Sequence, residues 1–172
     1  MIDPAVIRRT VTIVSRALAV AGLGLLLLLA TCTMLDGILR SVAGRPIDLV
    51  REVSDLVAAI AVSCCLPVSL LYRSNIALRT LKGLRSAMVT RVVDVGADTL
   101  VLVVVGAIAW QFFVFAQKTA QAGDVTWLMN LPKAPFWFAV SGVLAFAALV
   151  QAFVLSETIA GRLHKNRLEG TA

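Results

Sequence analysis

The chain has 172 residues, of which 59% are hydrophobic and only 15% charged, with a mean hydropathy of +0.91 and a formal net charge of +6. A soluble domain sits nearer about 45–50% apolar and about 25% charged, so a water-soluble globular enzyme is excluded and an integral membrane protein of about four spans takes its place. The positive charge would suggest nucleic acid in a soluble protein, but here it flanks apolar runs and reads as topology and contact with anionic lipid.

The N-terminal segment carries Arg8, Arg9 and Arg16 against a single acid, Asp3. Residues 17–35 then hold no charge and approach the ~20 residues that a spanning helix needs. This run is too long for the apolar core of a signal peptide, so no cleaved leader is expected. Gly22 and Gly24 within it suit close helix packing better than a binding site. Asp36 ends the run, and Gly44 and Pro46 mark a turn.

A second span is expected over about residues 52–72. Asp48 is a candidate N-cap, and Glu52 and Asp55 complement the helix dipole in the first turns. Pro67 cannot donate to the carbonyl of Ser63, which predicts a kink. Over about residues 74–90 the pattern changes. Ile76, Leu81, Leu84 and Met88 alternate with Arg79, Lys82 and Arg85 at helical spacing, as in an amphipathic helix lying in the membrane interface. Arg73, Arg79, Lys82 and Arg85 are the expected anchors to anionic lipid, at about 1 kcal/mol each near the surface.

Arg91, Asp94 and Asp98 introduce a third span, about 94–116, with Trp110 in its second half. Residues 117–133 read as a loop, polar at first and then aromatic. Trp127 and Trp137, around Pro132 and Pro135, suit the membrane–water boundary, as does Trp110. The last span is expected over 134–156, and a basic tail with Arg162, Lys165 and Arg167 follows. The whole is one membrane domain.

Orientation follows from the charges. Arg8, Arg9 and Arg16, then Arg73, Arg79, Lys82, Arg85 and Arg91, then Arg162, Lys165 and Arg167 would share one side: eleven of the sixteen Lys and Arg. The positive-inside rule places that side in the cytoplasm, with both termini inside. The expected fold is therefore an all-α integral membrane protein. It has four transmembrane helices, both termini in, and a cytoplasmic interfacial helix between the second and third.

Little catalytic chemistry is available. His164 is the only histidine, so a haem pair, a histidine zinc site or a Ser-His triad has no basis. Cys32, Cys64 and Cys65 lie in apolar runs without CxxC spacing and behave as small hydrophobes. No Gly-rich phosphate loop is present. Neither a cofactor nor a metal is expected. The carboxylate pairs Glu52/Asp55 and Asp94/Asp98 admit two readings: an ion site, or helix capping at an interface beside Arg51 or Arg91. Gln111 and Gln151 are suited to hydrogen bonds between helices.

The layout resembles the small membrane subunit of tripartite ATP-independent periplasmic (TRAP) transporters, the DctQ-like four-span proteins. Arg40 in MLDGILRSV matches that family's Arg after the first span, and Glu52 in REVSDLV its Glu opening the second. Arg73, Asn75, Ile76 and Leu78 occupy the segment leading into its amphipathic helix, although Asn75 stands where the family usually has His and Arg79 near its Asp. Leu128, Leu131 and Pro132 match the stretch before the last span.

The resemblance implies a non-catalytic subunit of the bacterial inner membrane. Its partners would be a large multi-span permease, which holds the substrate and sodium sites, and a periplasmic binding protein that delivers a carboxylate. The small subunit would act as a scaffold. Arg40 and Glu52 are the expected polar contacts on the periplasmic face, with each other or with partners. The alternative is a self-contained small transporter or channel working as a homo-oligomer, with one of the four carboxylates as its essential group.

Overall fold

The computed structural model describes residues 4–44, 48–73, 87–127 and 130–159. They form four α-helices: α1 (Pro4–Ala43), α2 (Asp48–Arg73), α3 (Ala87–Ala122) and α4 (Ala134–Ile159). The described residues include no strand, only an isolated bridge between Val125 and Pro132 in the α3–α4 connection. All four helices are long and apolar enough to cross a membrane.

The helices stop where the backbone chemistry stops them, not where the apolar run ends. Pro4 opens α1, where its missing N–H costs no intrahelical bond. The helix then runs 40 residues to Gly44, whose φ of 63° is the left-handed conformation glycine tolerates. At 1.5 Å per residue such a helix is about 60 Å long, roughly twice the hydrocarbon core.

α3 shows the same behaviour. The expected loop over 117–133 begins later, because 117–122 continue the helix. Gln, Lys, Thr and Ala carry no breaker, so the helix proceeds until Gly123, at φ 66°. There the N–H of Gly123 bonds Ala120 O at 3.3 Å and that of Asp124 bonds Thr119 O at 3.2 Å, a Schellman closure that satisfies two terminal carbonyls. At its other end α3 takes in residues 87–90, assigned above to the interfacial helix. Residues 74–86 of that helix lie outside the described residues. α2 remains helical through Pro67, which is buried.

In space α1 packs on α2, α2 on α4 and α4 on α3, giving the order 1-2-4-3. The result is a row of two antiparallel hairpins joined through α2 and α4, with α1 and α3 as its edges. Among the described residues the buried apolar side chains other than Ala116 sit on the two inner helices: Leu56, Ala61, Cys64, Pro67 and Leu70 on α2; Val140, Leu144, Ala147, Val150 and Val154 on α4. α2 buries two faces. Ala61 and Cys64 meet Gly22 of α1. Leu56, Ser63, Pro67 and Leu70, about 115° further round at 100° per residue, form the second.

Contacts between helices show which ends lie together. Arg16 of α1 reaches Tyr72 at the end of α2, and Arg8 of α1 lies beside Glu157 at the end of α4. Asp98, early in α3, meets Thr158. The start of α1 and the end of α4 therefore share one end of the row, here termed the near end. The α1–α2 and α3–α4 turns form the far end.

Candidate functional site

The α1–α2 seam is built on a strict heptad. Val11, Ser15, Leu18, Gly22, Leu25, Leu29, Cys32 and Asp36 step by four and three, and none is exposed. A 3.5-residue period keeps one stripe facing a neighbouring helix when the two wrap gently around each other. At Gly22 the backbones nearly touch: a Cβ there would lie 2.7 Å from Ala61 O and 2.8 Å from Cys64 Cβ. Gly24, also singled out above, has nothing within 4 Å of such a Cβ and does not serve this contact. Ser15 is fully buried in the seam, and its Oγ has no hydrogen-bond partner among the described residues.

Polar groups tie the near end. Arg16 donates from Nε to the Tyr72 hydroxyl at 2.9 Å and from Nη2 to the same oxygen, with its guanidinium carbon 5.8 Å from the ring centroid. Arg8 Nε stands 3.9 Å from Glu157 Oε1, too long and too open to stabilise much. On the other hairpin, Thr158 Oγ1 donates to Asp98 Oδ2 at 2.8 Å and also reaches Val154 O at 3.0 Å. Buried Gln151 donates from Nε2 to the Asp98 carbonyl at 3.2 Å. Asp98 is thus a junction between α3 and α4. Gln151 makes the interhelical bond its position suggested, while Gln111 is exposed.

The far end is aromatic. Trp137, early in α4, packs against Phe112 (ring centroids 5.8 Å apart) and edge-on against Phe115 (5.1 Å) of α3, and Phe113 meets Phe138 at 6.2 Å. Beyond this cluster the α3–α4 connection closes on itself. Buried Thr126 donates its N–H to Leu131 O at 2.9 Å, and its carbonyl accepts from Asn130 N at 3.2 Å. Its hydroxyl oxygen accepts from Leu131 N at 3.0 Å. Lys133 N reaches Asp124 O at 3.1 Å, and Asn130 takes the left-handed conformation at φ 52°. These bonds satisfy the polar groups of Thr126 and tie the two sides of the connection together.

The candidate residues are distributed over both ends. Arg40 is exposed in the last turn of α1, where its charge complements the helix dipole. Glu52 lies near the start of α2, at the same far end, but its side chain is outside the described set. Arg73 closes α2 with its side chain likewise undescribed, and Arg79, Lys82 and Arg85 fall outside the described residues. The three tryptophans separate. Trp137 is in the aromatic cluster, Trp110 is 68% exposed beside Phe113, and Trp127 is 94% exposed in the closed turn. Sequence reasoning did not reach Tyr72, Thr126 or Thr158. The partners of Tyr72 and Thr158 lie 56 and 60 residues away in the chain, and Thr126, bonded to Leu131 five residues on, carries no distinguishing pattern in its loop.

Among the described residues no group of three His, Cys, Asp or Glu is placed to hold a metal ion, and all three cysteines are free. What the arrangement offers is surfaces. Leu23, Leu27 and Leu28 of α1, and Leu100, Val103 and Val104 of α3, stand exposed along the edges of the row. Such flanks are stable only against lipid or another membrane protein.

The family model for the DctQ component of tripartite ATP-independent periplasmic transporters matches residues 29–160, from the second half of α1 to the end of α4. Neither a curated protein nor a solved structure matches the chain. The match covers all of α2, α3 and α4 and most of the sequence, so this multi-pass membrane chain belongs to the DctQ family, the small permease components of TRAP transporters.

Proposed function

We propose that the chain is the non-catalytic small subunit of a TRAP-type secondary transporter. It scaffolds a large permease subunit for sodium-driven uptake of a carboxylate that a periplasmic binding protein delivers. It lies in the bacterial inner membrane with both termini in the cytoplasm. The Lys and Arg bias toward the near end supports that orientation. In this reading Arg40 and Glu52 contact partners at the far end, and Arg73, Arg79, Lys82 and Arg85 hold anionic lipid at the near end.

The observation that carries the reading is the open row. A self-sufficient transporter buries polar or ionisable groups around a path between its helices. Here the face of α2 turned away from α1 holds Leu56, Pro67 and Leu70, α4 buries Val, Leu and Ala, and Ser63, Ser141 and Gln151 are the buried polar members of these two helices among the described residues. Ser63 and Ser141 bond carbonyls of their own helices, and Gln151 bonds the α3 backbone. Both edge helices keep long uncovered apolar flanks, which suits a part that completes a larger assembly.

The test is affinity purification of the tagged chain from native membranes in mild detergent, with mass spectrometry of the proteins that co-purify. A hydrophobic partner of many spans is expected among them. Recovery of the chain alone as a defined homo-oligomer, with uptake in liposomes by the purified chain, would replace this reading with that of a self-contained transporter.

A further inference from the structure

We propose that the groove between α1 and α2 at the near end binds the headgroup of an anionic phospholipid, with Arg16 and Tyr72 as the donors to its phosphate.

The contact between these two side chains leaves donors without acceptors. The Tyr72 oxygen accepts from two nitrogens of Arg16, which occupies both of its lone pairs. Its own O–H proton is left to donate outward. The guanidinium spends Nε and one Nη2 hydrogen on that oxygen, so its remaining N–H groups also point away from the contact. The two side chains therefore present adjacent donors, fixed relative to each other by the bidentate contact, and no carboxylate is in contact with either one in the described structure. An oxyanion with two oxygens fits such a pair, as phosphate fits a guanidinium fork.

The surroundings select the source of that oxyanion. Both side chains are exposed, at the end of the uncharged run of α1 and of α2. Going inward, the same face of α1 continues through Leu23, seven residues from Arg16, and Leu27, both exposed, and the neighbouring stripe of α2 offers Ser69 and Val62. Going outward, exposed Arg9 lies seven residues before Arg16 on that face. Two arginines head an apolar groove. A free phosphate would use the first part only, whereas a phospholipid uses both, its phosphate on Arg16 and Tyr72 and its acyl chains along Leu23, Leu27 and Val62. Basic sites between membrane helices recognise lipid headgroups by this combination.

The experiment uses the purified full chain in an uncharged detergent, titrated with phosphatidylglycerol and, separately, with phosphatidylcholine and with inorganic phosphate. Native mass spectrometry reads the bound lipid. Retained phosphatidylglycerol is expected, with apparent affinity about tenfold lower in Arg16→Gln and in Tyr72→Phe, as loss of a charge-assisted donor predicts. Tyr72→Phe keeps the ring and its packing, so a single cooperative thermal transition in detergent alone, at most a few degrees below that of the wild type, is expected and excludes misfolding. Lys118→Gln, exposed late in α3 toward the far end, should bind as the wild type does. Undiminished phosphatidylglycerol binding in both groove variants would overturn the proposal. Equal retention of phosphatidylcholine would overturn the anionic preference. Competition by inorganic phosphate alone at equal concentration would reassign the site to a soluble anion.

Discussion

Gly22 of α1 stands against Cys64 of α2 so closely that a methyl group on it would come within 2.8 Å of the Cys64 Cβ, and within 2.7 Å of the Ala61 carbonyl oxygen. Backbone cannot yield as a flexible side chain does, so Gly22→Ala must push α1 away from α2. A loss of about 1–3 kcal/mol is expected, the usual cost of overpacking a well-filled contact. Gly24→Ala should cost nothing, since open space surrounds that position, and it removes the entropic handicap of glycine in a helix. Thermal midpoints of the two variants in detergent make the comparison. Equal midpoints for Gly22→Ala and the wild type would remove the close crossing.

Ser15 lies two turns along the same seam with a buried hydroxyl that has no partner among the described residues. Most other described Ser and Thr hydroxyls of the helices bond back to a carbonyl three or four residues earlier, as Thr12, Thr31 and Thr99 do. Removing an unsatisfied buried hydroxyl removes a desolvation penalty. Ser15→Ala is therefore expected to raise the midpoint, by up to about 1 kcal/mol of stability. A lower midpoint would mean that the hydroxyl is bonded after all.

The α3–α4 hairpin is expected to respond in the opposite sense. Thr158→Val deletes the 2.8 Å bond to Asp98, and Gln151→Leu deletes the 3.2 Å bond to the Asp98 carbonyl. Polar bonds between membrane helices average about 0.6 kcal/mol and reach about 1.7. Each variant should lose an amount in that range. Because both bonds end on one residue, the double variant should lose less than the sum of the two. Strict additivity in reversible unfolding would show that Asp98 does not couple them.

How much of this was legible beforehand differs by level. Four apolar helices were readable, because charge-free runs of spanning length have one physical use. Gly44 was readable as a turn, but the helical course of residues 36–43 up to it and of 117–122 in α3 was not, because a membrane stops neither helix. Gly44 and Gly123 stop them, several residues past the last apolar turn. The order 1-2-4-3 was also hidden, since α2 and α4 are not neighbours in the chain and the small faces that join them carry no charge pattern. Arg40 and Glu52 were placed near one another by a short connection alone. Arg16–Tyr72 and Asp98–Thr158 span 56 and 60 residues, and no local pattern could pair them.

The far-end turn makes a sharper prediction because one side chain closes it. Thr126→Val keeps the size of the side chain and removes the acceptor for Leu131 N–H. Leu131 is half-buried, so its N–H left without a partner should cost up to about 1 kcal/mol, the low end for an unsatisfied donor. Asn130→Gly should be tolerated at φ 52°, whereas Asn130→Val should not, because a β-branched residue resists the left-handed region. Protease susceptibility of the loop, with Trp127 fluorescence in a background lacking Trp110 and Trp137, reports both. A loop as resistant in Thr126→Val as in the wild type would show that the turn does not depend on that hydroxyl.

Arg40 separates the scaffold reading from simple helix capping. As the basic residue in the last turn of α1, it complements a helix dipole, which is worth about 0.3–1 kcal/mol at an exposed position. If that were its whole role, Arg40→Ala would lower stability slightly and leave transport untouched. A contact with a partner subunit predicts the reverse emphasis. In the reconstituted complex, sodium-driven uptake should fall several-fold while the amount of assembled complex stays normal, the cost expected when a charged interface partner is left unpaired. Arg40→Lys should recover part of the loss, since it restores the charge without the planar fork. Glu52→Ala should resemble Arg40→Ala, and if the two residues bind each other the double variant should be no worse than either single one. Unchanged uptake in both single variants, at normal abundance, would return the two residues to the helix ends they occupy and leave partner recognition to the apolar flanks of α1 and α3.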